Sequence, residues 1–281
     1  SGKRVTSAEE WWNTRRAEAD VSVPLTASGS VRARATFAWE GRDSYMDRYH
    51  ERKKVGMVIV EADLAPATLL TFGHDLQHNQ PTGATWGAVP YWNADGSLAN
   101  LPRNFSLSTT WGTWANAQDT TFASLEHRFG NGWRLHGGIA HTVSTNNTAI
   151  AYGGAGYPDP ATGTGMRLWT GIWGESRNTA DNYEIYATGP LSLFGRTHTL
   201  VAGWNGTNST ARSENGDRTY PYPDAIPDYR AWTGDIPRPY FIPDGTHTDS
   251  LMRLNGVYLA GRFSGTGDVT AKGLRRWGSR R

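Results

Sequence analysis

Val31-Arg32-Ala33-Arg34-Ala35-Thr36-Phe37-Ala38-Trp39-Glu40 puts Val31, Ala33, Ala35, Phe37 and Trp39 on one side of an extended chain and Arg32, Arg34, Thr36, Ala38 and Glu40 on the other, because side chains of a strand alternate faces. The stretch before it reads the same way, with Ala17, Ala19, Val21 and Val23 opposite Arg16, Glu18, Asp20 and Ser22. Leu25-Thr26-Ala27-Ser28-Gly29-Ser30 between them has the turn chemistry of a hairpin.

Working outward, Val55–Asp63 and Leu69–Gln77 form a second hairpin around Ala65-Pro66-Ala67. A third joins Thr120–Phe129 to Trp133–Val143 through Gly130-Asn131-Gly132. A fourth joins Asn182–Thr188 to Thr197–Trp204 through Gly189-Pro190 and Phe194-Gly195-Arg196, and a fifth begins at Asn255–Phe263 and turns at Ser264–Asp268. The reading gives about ten strands and no amphipathic helix beyond a turn near Ser7–Trp12. The class is all-β and antiparallel.

Connections within hairpins are short. Those between hairpins run from His78 to Asp119, Ser144 to Asp181 and Asn205 to Leu251, far longer than compact soluble domains ordinarily use. Short turns at one end of a sheet and long loops at the other is the layout of a transmembrane β-barrel, with short periplasmic turns and long extracellular loops. The charged set Arg16, Glu18, Asp20, Arg32, Arg34, Glu61, Asp75, Glu126, Arg128, Arg134 and Glu184 then faces a wet lumen, because an Arg or Lys against lipid near the midplane costs roughly 2–4 kcal/mol. Trp39, Phe129, Trp133, Trp204 and Phe263 at strand ends suit interfacial girdles. A solvated outer face and ordinary core packing are the competing readings of these two sets.

Composition sets further bounds. The 13 Trp, 12 Tyr and 33 Gly beside 4 Met and no Cys favour β structure with many turns, and exclude a disulfide scaffold, a thiolate metal site and a cysteine nucleophile. A formal charge of +2 gives no concentrated basic surface for nucleic acid. Mean hydropathy is −0.58, and runs such as Val55–Val60 fall well short of the roughly 20 apolar residues of a spanning helix, whereas a spanning strand needs only about 9–11.

No nucleophile elbow, zinc-protease helix or phosphate loop is present, so no enzyme, catalytic residue, cofactor or resident metal is expected. His74 and His78 share a strand face, but polar residues entering a loop explain them more simply than chelation. Asn93-Ala94-Asp95-Gly96-Ser97 lacks the acidic ligands that complete a calcium loop and reads as a tight turn. The sequons at Asn146, Asn205 and Asn208 read as polar loop composition. What remains is aromatic. Trp86, Tyr91, Trp92, Trp111 and Trp114 stand in the first long connection, Tyr152, Tyr157, Trp169 and Trp173 in the second, and Tyr220, Tyr222, Tyr229, Trp232 and Tyr240 in the third. Rigid rings with polar tips supply binding area at low entropic cost; Trp86, Tyr91, Trp92, Trp111 and Trp114 are the expected ligand contacts, Trp86 first.

Several strings resemble the TonB-dependent siderophore receptors, in the branch of ferric-pyoverdine and ferric-coprogen receptors: Trp12-Asn13-Thr14-Arg15-Arg16-Ala17-Glu18-Ala19-Asp20-Val21, Gly29-Ser30-Val31-Arg32-Ala33-Arg34, Asp43-Ser44-Tyr45-Met46-Asp47-Arg48-Tyr49, Pro81-Thr82-Gly83-Ala84-Thr85-Trp86-Gly87 with Pro90-Tyr91-Trp92-Asn93-Ala94-Asp95-Gly96, Leu125-Glu126-His127-Arg128-Phe129 with Gly132-Trp133, and Gly189-Pro190-Leu191-Ser192-Leu193-Phe194-Gly195-Arg196. The likeness runs from Glu10 to Phe263. It implies a plugged barrel of about 22 strands in the outer membrane of a Gram-negative bacterium, acting as a monomer set in outer-membrane lipid, that binds an iron–siderophore complex and imports it with energy from the TonB complex.

On this expectation residues 1–281 are one partial barrel domain. A plug and energy-coupling region precede Ser1, roughly half the barrel follows Arg281, and an open wall would leave its edge strands unpaired in lipid. The run from Ser264 to Arg281, rich in Gly and Arg, departs from the pattern as an atypical tail. Two alternatives stay open from the residues alone: a soluble aromatic-rich β protein that binds carbohydrate, and a passive porin-like barrel.

Overall fold

A computed structural model describes residues 2–10, 13–87, 89–218, 225–264 and 270–280. They form one sheet of eleven strands: β1 Gly2–Glu10, β2 Thr14–Pro24, β3 Val31–Asp43, β4 His50–Ala65, β5 Thr68–Thr82, β6 Thr113–Arg128, β7 Arg134–Ala155, β8 Arg167–Leu193, β9 Arg196–Arg218, β10 Phe241–Ser264 and β11 Thr270–Arg280. Each strand pairs antiparallel with the next, in chain order, so β1 and β11 are the edges.

Antiparallel partners share a face, so the register carries the alternation of β3 across the whole sheet. Ala33, Val60, Phe72, Ala123, Ile139 and Tyr183 stand in one row from β3 to β8. The row beside it is Val31, Ala62, Leu70, Leu125, Gly137, Ile185, Trp204 and Val257. These side chains are open rather than packed: Phe72 is 52% and Ile139 59% exposed. A contiguous apolar face across this many strands is far beyond what soluble monomers leave in water. It is the lipid-facing surface of a transmembrane β-barrel wall. On β3 the apolar strip from Val31 to Trp39 extends about 26 Å at ~3.3 Å per residue, close to the ~25 Å band of outer-membrane barrels.

The opposite face carries most of the charge, with Val55, Met57 and Ile59 of β4 and Phe122 of β6 as apolar exceptions in register. Arg32, Glu61, Thr71, Ser124, Gly138, Glu184 and Asn205 form one of its rows. Neighbouring charges pair across strands: Arg34 donates twice to Asp20 (3.0 and 2.7 Å), Arg32 to Glu61 (2.7 Å) and Asp63 (2.8 Å), and Arg16 to Glu40 (2.9 Å). Open to solvent as they are, such pairs each contribute little stability. Their meaning is positional: the arginine–carboxylate pairs of β2, β3 and β4 all lie on this face, where a water-filled interior solvates them.

Eleven strands meet the expected count of about ten. The structure changes three other sequence-based expectations. The residues around Ser7 belong to β1, in register with β2 from Gly2↔Ser22 to Glu10↔Thr14, rather than to a helical turn; Trp11 and Trp12 lie outside the described residues. The supposed tail forms β11, paired with β10 from Ser264↔Thr270 to Leu254↔Arg280. Its weak alternation hides a strand because backbone pairing needs no amphipathic pattern. The expected turn at Ser264–Asp268 falls outside the described residues except for Ser264, which ends β10.

The third change is the largest. β7, β8, β9 and β10 are 22, 27, 23 and 24 residues long, so most of the second and third long connections is strand. At ~3.3 Å per residue these strands reach about 73–89 Å, although crossing the hydrocarbon takes only about 9–11 residues. They continue well past the membrane on the side opposite the short turns. Gly189 and Pro190 lie inside β8, and the hairpin turns at Phe194 (φ 53°) and Gly195 (φ 69°), the left-handed pair that matches strand twist in a two-residue turn.

Candidate functional site

The extended ends of β6, β7 and β8 bring four rings together. Trp114 on β6 stands in register with Thr148 on β7, and Tyr152 further along β7 with Trp169 on β8. Alternation places Trp114, Thr148 and Tyr152 on the face that carries the interior charges lower down. Trp86, from the connection between β5 and β6, lies against all of them: 6.2 Å from Trp114 at 86°, 6.2 Å from Tyr152 at 80° and 6.0 Å from Trp169 at 52°. Tyr152 and Trp169 are 5.2 Å apart. The edge-to-face geometry is the favourable one for aromatic pairs. Trp86 stays 56% exposed, Trp114 37% and Trp169 36%, so the cluster is packed on itself yet open on one side.

Backbone economy holds Trp86 there. The Thr85 hydroxyl donates to the carbonyl of Ala151 (2.8 Å), and a Cβ on Gly87 would sit 2.5 Å from the Cβ of Tyr152. Only glycine lets the chain lie this close.

Below the rings, the same face is lined with carboxamides. Gln77, Asn79, Asn116, Gln118, Asn146 and Asn178 border a cavity of about 420 Å³. Asn146 Nδ2 donates to Asn116 Oδ1 (2.6 Å), Thr148 to Asn146 Oδ1 (2.7 Å) and Asn116 Nδ2 to the carbonyl of Trp114 (3.2 Å), which ties the amide groups to the aromatic cluster above. Asn79 Oδ1 is buried with no hydrogen-bond partner among the described residues.

The remaining aromatics divide by role. Trp111 packs against the apolar cluster of Leu107, Ala151, Met166, Leu168, Ile226 and Tyr229, and its indole N–H donates to the carbonyl of Ile236 (2.9 Å). Trp232 joins that cluster and donates to the carbonyl of Ser108 (2.8 Å). Tyr91 and Trp92 form a separate edge-to-face pair at 5.1 Å, 69% and 48% exposed. Tyr220 and Tyr222 lie outside the described residues, as does the Trp173 side chain. Thus Trp86 and Trp114 are brought together, Tyr91 and Trp92 stand apart from them, and Trp111 faces the loop core. Tyr152 and Trp169 complete the cluster.

Arg48 fastens this cap. Held at φ 69°, it donates to the Ser106 carbonyl and to the Ser108 hydroxyl; burial pushes its pKa down. Asp228 accepts from Arg230, which holds its carboxyl below the usual range. Arg48→Ala removes the tie and leaves the Ser106 carbonyl without its donor, at about 1–3 kcal/mol. The expected result is faster protease cleavage within residues 83–112, with the barrel's own unfolding midpoint unchanged.

His74 and His78 share a face, but each bonds to its own partner on β6, Thr121 (2.9 Å) and Asp119 (3.3 Å). Asn93–Ser97 closes on itself: Asn93 N donates to Ser97 O (2.8 Å), Ser97 N to Asp95 Oδ1 (2.9 Å), and Gly96 has φ 82°.

No family model matches the sequence. Over 261 residues it is 33% identical to the ferripyoverdine receptor of Pseudomonas aeruginosa, covering 92% of this chain and 31% of that protein. A ferric-pyoverdine BN7/BN8 receptor of Pseudomonas putida is 29% identical over 95% of this chain and 33% of its own length. The chain therefore spans about a third of the relatives it matches. Among solved structures, the outer-membrane ferripyoverdine receptor of P. aeruginosa bound to ferripyoverdine superimposes with a TM-score of 0.90 at 31% identity, over 96% of this chain and 36% of that one. The alcaligin outer-membrane receptor of Bordetella pertussis shares the fold at a TM-score of 0.63 and 20% identity, over 99% of this chain and 37% of that one.

Proposed function

We propose that this chain is a stretch of the barrel wall of a TonB-dependent siderophore receptor, an outer-membrane protein which binds a ferric siderophore and imports it with energy from the TonB complex; its 33% identity to the ferripyoverdine receptor over 92% of its length supports the reading. The observation that carries the reading is the four-ring cluster of Trp86, Trp114, Tyr152 and Trp169, open to water at the top of the interior face. Flat rings offer a conjugated chelate a stacking surface. The carboxamides beneath offer neutral donors and acceptors, beside Lys53, whose ammonium is 3.3 Å from Glu51.

Trp86 and Trp114 make the direct contact with the ligand, Tyr91 and Trp92 touch it at the outer rim, and Trp111 acts through the packing that holds the loop. The ion pairs lower on the interior face meet a plug. The receptor works as a monomer in outer-membrane lipid and performs no covalent chemistry; iron is its cargo.

Ferripyoverdine, the ligand named for the relatives, is the probe. Titrated into the full-length receptor, it is expected to quench tryptophan fluorescence saturably. Equal quenching by a receptor lacking residues 83–112 would overturn the assignment of this site.

A further inference from the structure

The interior face changes character along the sheet. On β2–β4 it carries paired charges, Arg16 with Glu40, Arg34 with Asp20 and Arg32 with Glu61. On β6–β9 the charges stop. From Asn116 to Ser124, Gly138 to Asn146, Asn178 to Asn182 and Asn205 to Ala211, every inward position is Ser, Thr, Asn, Gln, Gly or Ala, with Phe122 the single exception. Thr120, Thr142, Ala180 and Ser209 stand in one row of this stripe, and Phe122, Ala140, Asn182 and Thr207 in the inward row below. Asp75 on β5, opposite Thr120, borders it.

Both ends of the stripe are hollow. At its top is the cavity of about 420 Å³ beneath the four rings. Lower down, a second cavity of about 340 Å³ is lined by Phe122, Ser124, Asn182, Glu184, Asn205 and Thr207. From Gln118 in the first lining to Phe122 in the second is ~13 Å at ~3.3 Å per residue, and only the short side chains of the Thr120 row stand between.

The lower cavity repeats the chemistry of the upper one. The Phe122 ring lies over Gly73, where a Cβ would meet its Cζ at 2.3 Å. His136 stacks on Tyr186 with ring centres 4.8 Å apart at 22° and bonds Glu184 (3.0 Å), and the Thr207 hydroxyl donates to Asn182 Oδ1 (2.8 Å). A polar solute moving past ion pairs must compete with charge-assisted hydrogen bonds, roughly twice as strong as neutral ones. Hydroxyls and carboxamides trade one neutral bond for another, and passage needs sites that hold a solute without trapping it.

We infer that the stripe on β6–β9 is the surface along which the ferric siderophore leaves the ring cluster, and that the Phe122–Asn182–Asn205 cavity is a second station that holds it by its amide and hydroxyl groups. The inference rests on the siderophore-receptor reading and concerns the route rather than the ligand.

The test uses the full-length receptor in cells, with ferripyoverdine carrying radioactive iron as the probe. Each variant is read twice, by equilibrium binding to cells lacking TonB and by TonB-dependent accumulation. Ala140→Trp and Ala180→Trp, which fill the stripe, are expected to keep binding within about twofold and to slow accumulation at least about tenfold. Thr36→Trp, on the interior face of β3, is expected to change neither. Parental accumulation in both stripe variants, or an equal loss in Thr36→Trp, would overturn the route while leaving the receptor reading intact. A parent that neither binds nor imports overturns the receptor reading and the route with it. Should the tryptophan variants not assemble, Thr142→Cys replaces them, since residues 1–281 contain no cysteine. Alkylation of the assembled receptor with a bulky maleimide is then expected to stop accumulation and spare binding. A cysteine that stays unalkylated throughout import is covered by another part of the receptor, and that result also overturns the route.

Discussion

Trp86→Ala in the full-length receptor is expected to weaken ferripyoverdine binding roughly thirtyfold, about 2 kcal/mol, the loss typical of a central aromatic anchor. Trp86 meets Trp114, Tyr152 and Trp169, each at 6.0–6.2 Å between ring centres; its removal takes one wall from the cluster and leaves the barrel untouched. Tyr91→Ala, outside the cluster, should weaken binding less. Trp111→Phe keeps the packing but loses the bond to Ile236, so it should loosen residues 83–112 before it alters affinity. Equilibrium titration of the three variants separates these effects, and undiminished affinity in Trp86→Ala removes the cluster from the ligand site.

The second large effect tests the faces of the wall. Phe72 stands in the apolar outward row near its middle, and Thr71 beside it points inward opposite Glu61. Phe72→Arg places a charge in hydrocarbon and is expected to destabilise the folded receptor by roughly 2–4 kcal/mol. Thr71→Arg gains a carboxylate neighbour and should stay within about 0.5 kcal/mol of the parent. Urea titration of the receptor in lipid vesicles reads both. Equal tolerance of the two arginines would return the soluble sheet as the better description.

How much of this was legible in sequence depended on whether a strand divides lipid from water. β2 to β6 announce themselves because one face must be apolar, and Val31–Glu40 alone gives both faces and the register logic. Above the membrane that constraint lapses. Asn205-Gly206-Thr207-Asn208-Ser209-Thr210-Ala211-Arg212 belongs to β9, yet both sides are polar, so no period of two marks it and it reads as loop. The same lapse left Tyr152 and Trp169 as two rings of one long connection, with nothing in the sequence to show that β7 and β8 set them in register. Trp86 and Trp114 were identifiable as exposed rings of one connection, but their meeting depends on the Gly87–Tyr152 approach, which no local signal reports. The carboxamide wall was invisible for a further reason: its members come from β5, β6, β7 and β8, and one or two amides in each carry no pattern.

Uptake of radiolabelled iron supplied as ferripyoverdine, by cells whose sole siderophore receptor is the full-length protein containing this wall, tests the function most directly. Accumulation that saturates, and that disappears when TonB is deleted, is the expected result. No accumulation, or accumulation that persists without TonB as through an open pore, would contradict it.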